Sequence, residues 1–303
     1  MAFPECSYQY DGGPEVALHA FGSILRKYGP DCRAYVGLAR AQMLVGDYDL
    51  AAQSCRKALA MCPDSCAARL VLATAEQTAD VVRVFGRSMN GRKIGQAIRY
   101  AVGGKKNAWL VLSSRVIYEN DRQIDTHTDA RLSLLRMDGH RLTTVWQSRA
   151  LGPGYTQGRF DYIRLHVLDL TGDRVPEALV TETQIGASWQ PSHLDVFGRR
   201  GQEMVHELGV SSDEPLSIGD LNGDRRYEIS SYRFIGDTLS HSQQPLWFDI
   251  YAFKHGCYQQ ANGDFPRQYR PLAAAIRQLL ALHPNDAGLL GYRKRIGAMH
   301  RRG

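Results

Sequence analysis

The chain has 303 residues, of which 44% are hydrophobic and 22% are charged, a balance typical of a folded globular protein. It contains no run of about 18 or more apolar residues, so we expect no transmembrane helix. The first residues lack both the basic start and the apolar core of a secretory signal, so we expect a cytoplasmic protein, or an extracytoplasmic one if a leader has been removed.

The positive charge is concentrated at one end of the chain. The formal net charge is +6, and residues 267–303 contain 8 Lys/Arg against 1 Asp/Glu. A nucleic-acid-binding surface is usually spread along the main face of a fold. We therefore do not expect nucleic acid as a partner.

The cysteines do not indicate a disulfide framework or a zinc site. Six cysteines are too few for such a framework in 303 residues. Cys62 and Cys66 lie in the segment CPDSC, which has neither the spacing of a redox motif nor a matching second pair. Buried or incidental thiols are the simplest interpretation.

The first part of the chain has the periodicity of helices. Apolar residues recur at helical spacing over 14–28, and Gly29-Pro30 ends that helix. The segment 32–65, which begins at Cys32, resembles a tetratricopeptide repeat. The matching positions are Tyr35, Leu38, Ala39, Gly46, Tyr48, Ala51, Ala58 and Pro63.

The same pattern begins again one repeat length later, where Ala68, Leu72 and Ala73 repeat Ala34, Leu38 and Ala39. This resemblance implies helical hairpins over 1–78. It also implies a protein or peptide partner on their concave face, although simple structural packing is an equal alternative. Residues 79–99 lack a repeat signature and are interpreted as a connector whose structure the sequence leaves open.

From about Tyr100 the period changes from 3.6 to 2, which is typical of strands. Three hairpins share a glycine turn, at Gly139, Gly201 and Gly256. Upstream of the second and third hairpins lie two acidic turns, DLTGDRVPE at 169–177 and DLNGDRRYE at 220–228. The first unit has the same frame around Gly104 but carries no carboxylates there.

These acidic turns resemble the repeat of FG-GAP and VCBS-type proteins, whose β-propeller blades carry calcium loops. The resemblance implies three propeller-like blades over 100–266. It also points to exported bacterial relatives. Because a closed ring normally needs about four blades, three arrangements remain open. These are an open stack of three blades, a fourth blade drawn from 78–100, and closure by a partner chain.

The resemblance also implies a set of candidate calcium ligands, because oxygens at alternate positions can converge on one hard cation. The candidates are Asp169, Thr171, Asp173, Glu177, Asp220, Asn222, Asp224 and Glu228. Arg174 and Arg225 stand where the calcium loop has glycine, and a positive φ there costs a non-glycine residue about 1 kcal/mol or more. The alternative is a metal-free turn in which the arginines pair with the carboxylates and the aspartates bind backbone amides.

Two weaker features remain. Asp125, His127 and Asp129 share one face if their segment is a strand, so they are candidates for a metal site or a catalytic base, with a solvated edge as the simpler interpretation. Residues 267–303 return to helical periodicity, with Asn285 or Asp286 as the N-cap of the last helix and a basic end formed by its arginines and lysine.

The sequence thus predicts an α+β protein with separate regions: helical hairpins, an antiparallel β domain of three propeller-like blades, and a C-terminal helical hairpin. The expected function is a non-catalytic scaffold that binds a protein or a glycan, with calcium-stabilised loops as an open possibility. The alternative is a polysaccharide-acting lyase or hydrolase with a site at the centre of the β domain.

Overall fold

The structure is a computed structural model. It describes residues 13–86, 88–89, 91–102, 105–118, 125–138, 141–151, 162–184, 191–201 and 203–300.

Four helices come first in the chain, as the helical periodicity predicts. They are α1 (Gly13–Tyr28), α2 (Cys32–Val45), α3 (Tyr48–Met61) and α4 (Cys66–Phe85). The Asp31 side chain caps α2 by accepting a hydrogen bond from the Ala34 amide at 2.8 Å. Gly46 ends α2 in the left-handed region, at φ 86°. No described helix is long and apolar enough to cross a lipid bilayer.

Small side chains allow these helices to approach one another closely. Ala39 of α2, Ala51 and Cys55 of α3, and Ala75 of α4 are all fully buried in one cluster. Bulkier side chains at these positions would force the helix axes apart. The helical hairpins predicted from the repeat pattern therefore form, while the assignment to the tetratricopeptide family stays a prediction.

The strands form three antiparallel sheets in chain order. The first sheet contains β1 to β5, the second β6 to β9 and the third β10 to β13, and successive strands are neighbours in each sheet. The strands are β1 (Ser88–Met89), β2 (Arg92–Val102), β3 (Lys105–Tyr118), β4 (Asp125–Asp138), β5 (Arg141–Gln147), β6 (Tyr162–Leu168), β7 (Glu177–Thr183), β8 (Ser192–Arg200), β9 (Glu203–Ser212), β10 (Ser217–Gly219), β11 (Glu228–Phe234), β12 (Leu246–Lys254) and β13 (Cys257–Gln260).

The predicted hairpins and acidic turns lie between the expected strands. Gly201 and Gly256 have φ of 67° and 83° in the β8–β9 and β12–β13 turns, a region that glycine enters without steric strain. Gly139 and Gly104 lie outside the described residues. The acidic turns join β6 to β7 and β10 to β11.

The segment 79–99 holds regular structure where the sequence left it open. Its first part, to Phe85, continues α4, and residues from Arg92 onward belong to β2. A fourth blade drawn from 78–100 is therefore wrong for the described residues, because β1 and β2 are strands of the first sheet.

The three sheets pack face to face in chain order. Leu110 of the first sheet and Val180 of the second lie in one apolar cluster. Val196 of the second sheet and Ile229 of the third lie in another. The second sheet therefore buries apolar side chains on both of its faces, which explains why β8 is buried along most of its length.

The helices cover the open edge of the first sheet. Strand β1 pairs with only two residues of β2, so the rest of that edge needs other hydrogen-bond partners. Thr78 Oγ1 accepts a hydrogen bond from the Ala97 amide at 2.9 Å, and Gln77 Oε1 accepts one from the Arg99 amide at 2.6 Å. Both side chains belong to α4, which thereby attaches the helical region to the β domain.

Two C-terminal helices, α5 (Arg270–Leu282) and α6 (Ala287–His300), cover the other end of the stack. Trp247 of the third sheet is 1% exposed and lies against Tyr269 and Tyr292, with ring centroids 5.0 and 4.6 Å away. The helical hairpin predicted for this segment is therefore confirmed.

Asp286 is the N-cap of α6 and was one of the two residues that the sequence predicted for this position. Its carboxylate accepts a hydrogen bond from the Leu289 amide at 2.9 Å, and two more from the Thr238 amide and hydroxyl at 3.0 and 2.8 Å. Burial opposes ionisation of Asp286, but these hydrogen bonds lower its pKa to about 2. One side chain thus starts a helix and fixes the loop before β12.

Candidate functional site

The first acidic turn is closed by its own carboxylates. Asp169 Oδ1 accepts a hydrogen bond from the Gly172 amide at 2.8 Å, and Asp169 Oδ2 accepts one from the Arg174 amide at 2.9 Å. Asp173 Oδ1 accepts one from the Val175 amide at 2.7 Å. Asp side chains commonly hold turns in this way, since their short carboxylate reaches backbone amides a few positions ahead.

The second turn repeats this geometry further along the chain. Asp220 accepts hydrogen bonds from the Gly223 amide at 2.7 Å and the Arg225 amide at 3.0 Å. Asn222 Oδ1 accepts one from the Asp224 amide at 2.9 Å. The two turns therefore share a conformation as well as a sequence.

Each turn ends in a glutamate that points back into it. Glu177 Oε2 accepts a hydrogen bond from the Leu170 amide at 2.7 Å, and Glu228 Oε2 accepts one from the Leu221 amide at 2.8 Å. Glu177 also accepts a hydrogen bond from the Thr171 hydroxyl at 3.3 Å. Burial raises the pKa of Glu177 to about 7 and raises that of Glu228 in the same direction.

The two arginines adopt the backbone conformation that the calcium loop assigns to glycine. Arg174 and Arg225 have φ of 67° and 68°, so both turns keep the left-handed residue despite its steric cost. Each arginine binds the leading aspartate of its turn through its backbone amide.

The carboxylates are directed at backbone amides in this geometry. Across the described residues, no group of three or more His, Cys, Asp or Glu side chains is placed to hold a metal ion. The hydrogen bonds from backbone amides to the aspartates are those expected of the metal-free turn. Calcium binding stays a prediction to be tested in solution.

The turns also connect the sheets. The Tyr100 hydroxyl of β2 donates a hydrogen bond to the Pro176 carbonyl of the first turn at 2.7 Å. The Tyr227 amide of the second turn donates one to the Leu170 carbonyl of the first at 2.8 Å. A series of contacts thus runs from the first sheet through both acidic turns to the third.

A cluster of polar side chains lies on the face of the second sheet that meets the first. His206 Nε2 lies 2.6 Å from Asp195 Oδ1, and His193 Nε2 lies 3.5 Å from the same oxygen. The other ring nitrogen of His193 is 2.9 Å from the Ser211 hydroxyl. Sequence analysis missed this cluster, because its members lie on different strands and the strand register brings them together.

Opposite charges set the titration of this cluster. Burial alone would raise the pKa of Asp195, but hydrogen bonds from His193 and His206 hold it well below its usual range. The hydrogen bond to Asp195 also raises the pKa of His206. The side chain of His206 is 50% exposed, so it is the member of the pair that solvent reaches.

Glu182 lies beside this cluster without a hydrogen-bond partner. It is 0% exposed, and neither of its carboxyl oxygens is hydrogen-bonded. Burial, and to a smaller degree the charge of Asp195, raises the pKa of Glu182 to about 9. One signal pointed to it: Ala178, Val180 and Glu182 alternate along β7, so Glu182 belongs to the apolar face.

A groove lies between the third sheet and α5 and has a volume of about 540 Å³. Its lining is mainly apolar, with Ser217, Ser230, Tyr232 and Gln268 as the polar members. The Ser217 and Tyr232 hydroxyls are 2.7 Å apart and bind each other. Among the described residues that line this groove there is no carboxylate, histidine, lysine or arginine, and Tyr232 is its one ionisable side chain.

Of the three candidate residues at 125–129, only the side chain of Asp129 lies in the described part of the structure. Asp129 binds the guanidinium of Arg92 and lies 3.0 Å from Arg131 and 3.6 Å from Arg115. Burial opposes ionisation, but hydrogen bonds from Arg92 and Arg131 lower the pKa of Asp129. The side chains of Asp125 and His127 lie outside the described part of the structure.

Comparison of the chain with models of known protein families gives no match, and comparison with the sequences of curated proteins gives none either.

Proposed function

We propose that this protein is a non-catalytic interaction scaffold. A tetratricopeptide-like helical array binds a protein or peptide partner, and three FG-GAP-like blades, stacked in line, form the rigid body that carries the array. The observation that carries the proposal is the distribution of exposed apolar side chains. Among the described residues, seven of the nine large apolar side chains that are exposed belong to α1–α4.

These side chains form stripes on the helices. Ile24 and Tyr28 of α1 are four positions apart, so they are neighbours on one face, while Val16, eight positions before Ile24, lies about 80° further round the helix. Leu50 and Met61 of α3 are eleven positions apart and also share a face. Contiguous exposed apolar patches mark protein–protein interaction sites, so we expect these stripes to be the contact surface.

The propeller-like arrangement is supported by the chain order of the sheets. Each sheet is an up-and-down series of strands, and neighbouring sheets are joined face to face. Helices pack on the first sheet at one end and on the third at the other. Of the open arrangements, a stack of three blades closed by its own helices fits these contacts best, because both end faces are already covered.

The acidic turns have a structural role in this proposal. They hold neighbouring blades together through the hydrogen bonds of Tyr100 and Tyr227, and their aspartates satisfy the backbone amides of the turn. Without these aspartates, several backbone amides of each turn would have only water as a hydrogen-bond partner.

The test is the capture of a partner by the purified full-length protein, followed by binding with both components purified. In the test variant, Tyr28→Ser is combined with Leu70→Ser. The matched control combines Val145→Ser with Leu282→Ser, which are the two exposed apolar positions outside the helical array. All four positions are exposed, so each change should alter stability by less than about 0.5 kcal/mol. We expect the test variant alone to lose binding; equal loss in both variants, or in neither, would contradict the assignment of the surface.

A second candidate, a polysaccharide-acting lyase or hydrolase, is favoured by one observation. The half-exposed His206 is held by a buried carboxylate, and a histidine oriented in this way can accept or donate a proton. Such an enzyme should release new chain ends from one member of a panel of acidic and neutral polysaccharides. That release should disappear in His206→Ala and persist in His255→Ala, whose histidine lies in the β12–β13 turn.

A further inference from the structure

Three cysteines lie at one end of the helical hairpins. Cys32 is the first residue of α2, Cys62 follows the last residue of α3, and Cys66 is the first residue of α4. Because α2 and α3 are joined by a short turn at Gly46, they run in opposite directions, and the start of α2 lies beside the end of α3. Cysteines that are far apart in sequence are thus brought together.

The packing at this end fixes the position of the Cys32 side chain. Cys32 packs on a buried cluster that contains Ala58, one helical turn before Cys62, and Ala68, in the first turn of α4 after Cys66. The thiol of Cys32 also interacts with the Cys62 thiol and with the Ser65 hydroxyl. The Cys32 sulfur therefore lies against the α3–α4 turn, with the Cys62 sulfur as its neighbour.

The three thiols differ in their access to solvent. Cys62 and Cys66 are exposed, whereas Cys32 is only partly so. Burial, followed by the interaction with Cys62, raises the pKa of Cys32, which lowers the fraction of thiolate and slows the reaction of Cys32 with reagents from solution. In such an arrangement the exposed thiol reacts first with the oxidant, and the shielded thiol then resolves the mixed disulfide.

We propose that Cys32 and Cys62 are a redox modification site and form a disulfide bond with a small-molecule disulfide, such as oxidised glutathione, as the oxidant. The Cys62 thiolate attacks one sulfur of oxidised glutathione, which forms a mixed disulfide and releases one glutathione thiolate. The Cys32 thiolate then attacks Cys62 Sγ and releases the second. Two protein thiols are oxidised to one disulfide, one glutathione disulfide is reduced to two thiols, and the two cysteine protons pass to the released glutathione.

The bond would tie the start of α2 to the turn between α3 and α4. It would therefore fix the relative positions of three helices of the proposed partner-binding array. The chemistry itself does not depend on the proposed function, since it requires only the two thiols and an oxidant.

The test uses the full-length protein, reduced and then incubated with oxidised glutathione. Free thiols are alkylated, and the protein is digested with trypsin. Cleavage after Lys27, Arg33, Lys57 and Arg69 gives the peptides 28–33 and 58–69, and the second contains both Cys62 and Cys66. Mass spectrometry of the linked pair must therefore be combined with variants that separate these two cysteines.

We expect the linked pair 28–33 with 58–69 in the wild type and in Cys66→Ser, and its loss in Cys32→Ser and Cys62→Ser. In the wild type and Cys66→Ser, the oxidised form should unfold at a higher temperature than the reduced form. In Cys32→Ser and Cys62→Ser, the two forms should unfold at the same temperature. A linked pair that persists in Cys62→Ser would overturn the assignment to Cys62. A wild-type protein that gives only glutathione adducts, or only a bond between Cys62 and Cys66, would overturn the proposal.

Discussion

Glu182 provides the sharpest test of the packing between the first and second sheets. Its carboxyl group is 0% exposed and has no hydrogen-bond partner. Replacing it by glutamine keeps the size of the side chain and removes the ionisable proton. The variant Glu182→Gln therefore isolates the cost of ionising a buried carboxyl group.

The direction of the effect follows from the two pKa values. The ordinary pKa of a glutamate is 4.5, whereas burial raises the pKa of Glu182 in the folded protein to about 9. Between these two values the folded state holds a proton that the unfolded state has lost. Folding stability must therefore fall as the pH rises from about 4.5 to about 9, by about 1.4 kcal/mol for each pH unit.

Between pH 5 and pH 7 the wild type should thus lose about 2.7 kcal/mol more stability than Glu182→Gln. The comparison between the two proteins matters because burial also raises the pKa of Glu177, which lowers the stability of both proteins over the same range. The absolute stability of the variant is a poorer measure, since the glutamine leaves a buried amide without a partner.

The assay is urea unfolding of both proteins at several pH values from about 5 to about 7, read as the free energy of unfolding. Glu203→Gln is the matched control, because Glu203 is exposed on β9 of the same sheet and should give a curve parallel to the wild type. The reasoning would be refuted if Glu182→Gln lost stability as steeply as the wild type, since Glu182 would then be ionised or paired in the folded protein.

Three further predictions concern the turns and the helix contacts. Calcium in excess over chelator should leave the unfolding midpoint of the wild type unchanged. A stabilisation of about 2.7 kcal/mol at a hundredfold excess over the dissociation constant would instead establish an ion site. The same calcium titration of the double variant, which carries both Arg174→Gly and Arg225→Gly, shows whether the two arginines prevent calcium binding. Asp286→Ala should lower the free energy of unfolding by about 3 kcal/mol, because a helix cap and the bonds to Thr238 are both lost, and Asp286→Asn should retain most of it. Thr78→Val should cost about 1–3 kcal/mol by leaving a buried edge amide unpaired, and a similar loss in Thr74→Val on the same helix would contradict this explanation.

The features that the sequence alone determined are those that depend on near neighbours in the chain. Glycine can enter the left-handed region without strain, so the turns at Gly201 and Gly256 could be located from residue type and flanking periodicity. The cap at Asp286 and the repeated acidic turns follow from contacts within a few residues. For the same reason, the order of the helical and β regions was predictable, except over residues 79–99, whose structure the sequence left open.

The candidate site could be predicted only in part. The spacing of Asp169 and Asp173 indicated an oxygen-rich turn correctly, but not whether its oxygens point at an ion or at amides. That depends on the rotamer of each aspartate. The same residue type at the same position can direct its oxygens either at an ion or at backbone amides. The structure places both aspartates on backbone amides.

Only the tertiary structure decided which distant residues meet. His206 reaches Asp195 because of the register between β8 and β9, and Cys32 reaches Cys62 because two helices run in opposite directions. Glu182 is buried because the first sheet covers the face on which it lies. Periodicity assigns a residue to a face of its own strand or helix, but what covers that face depends on how the whole chain packs, so burial, pairing and pKa could not be read from local sequence.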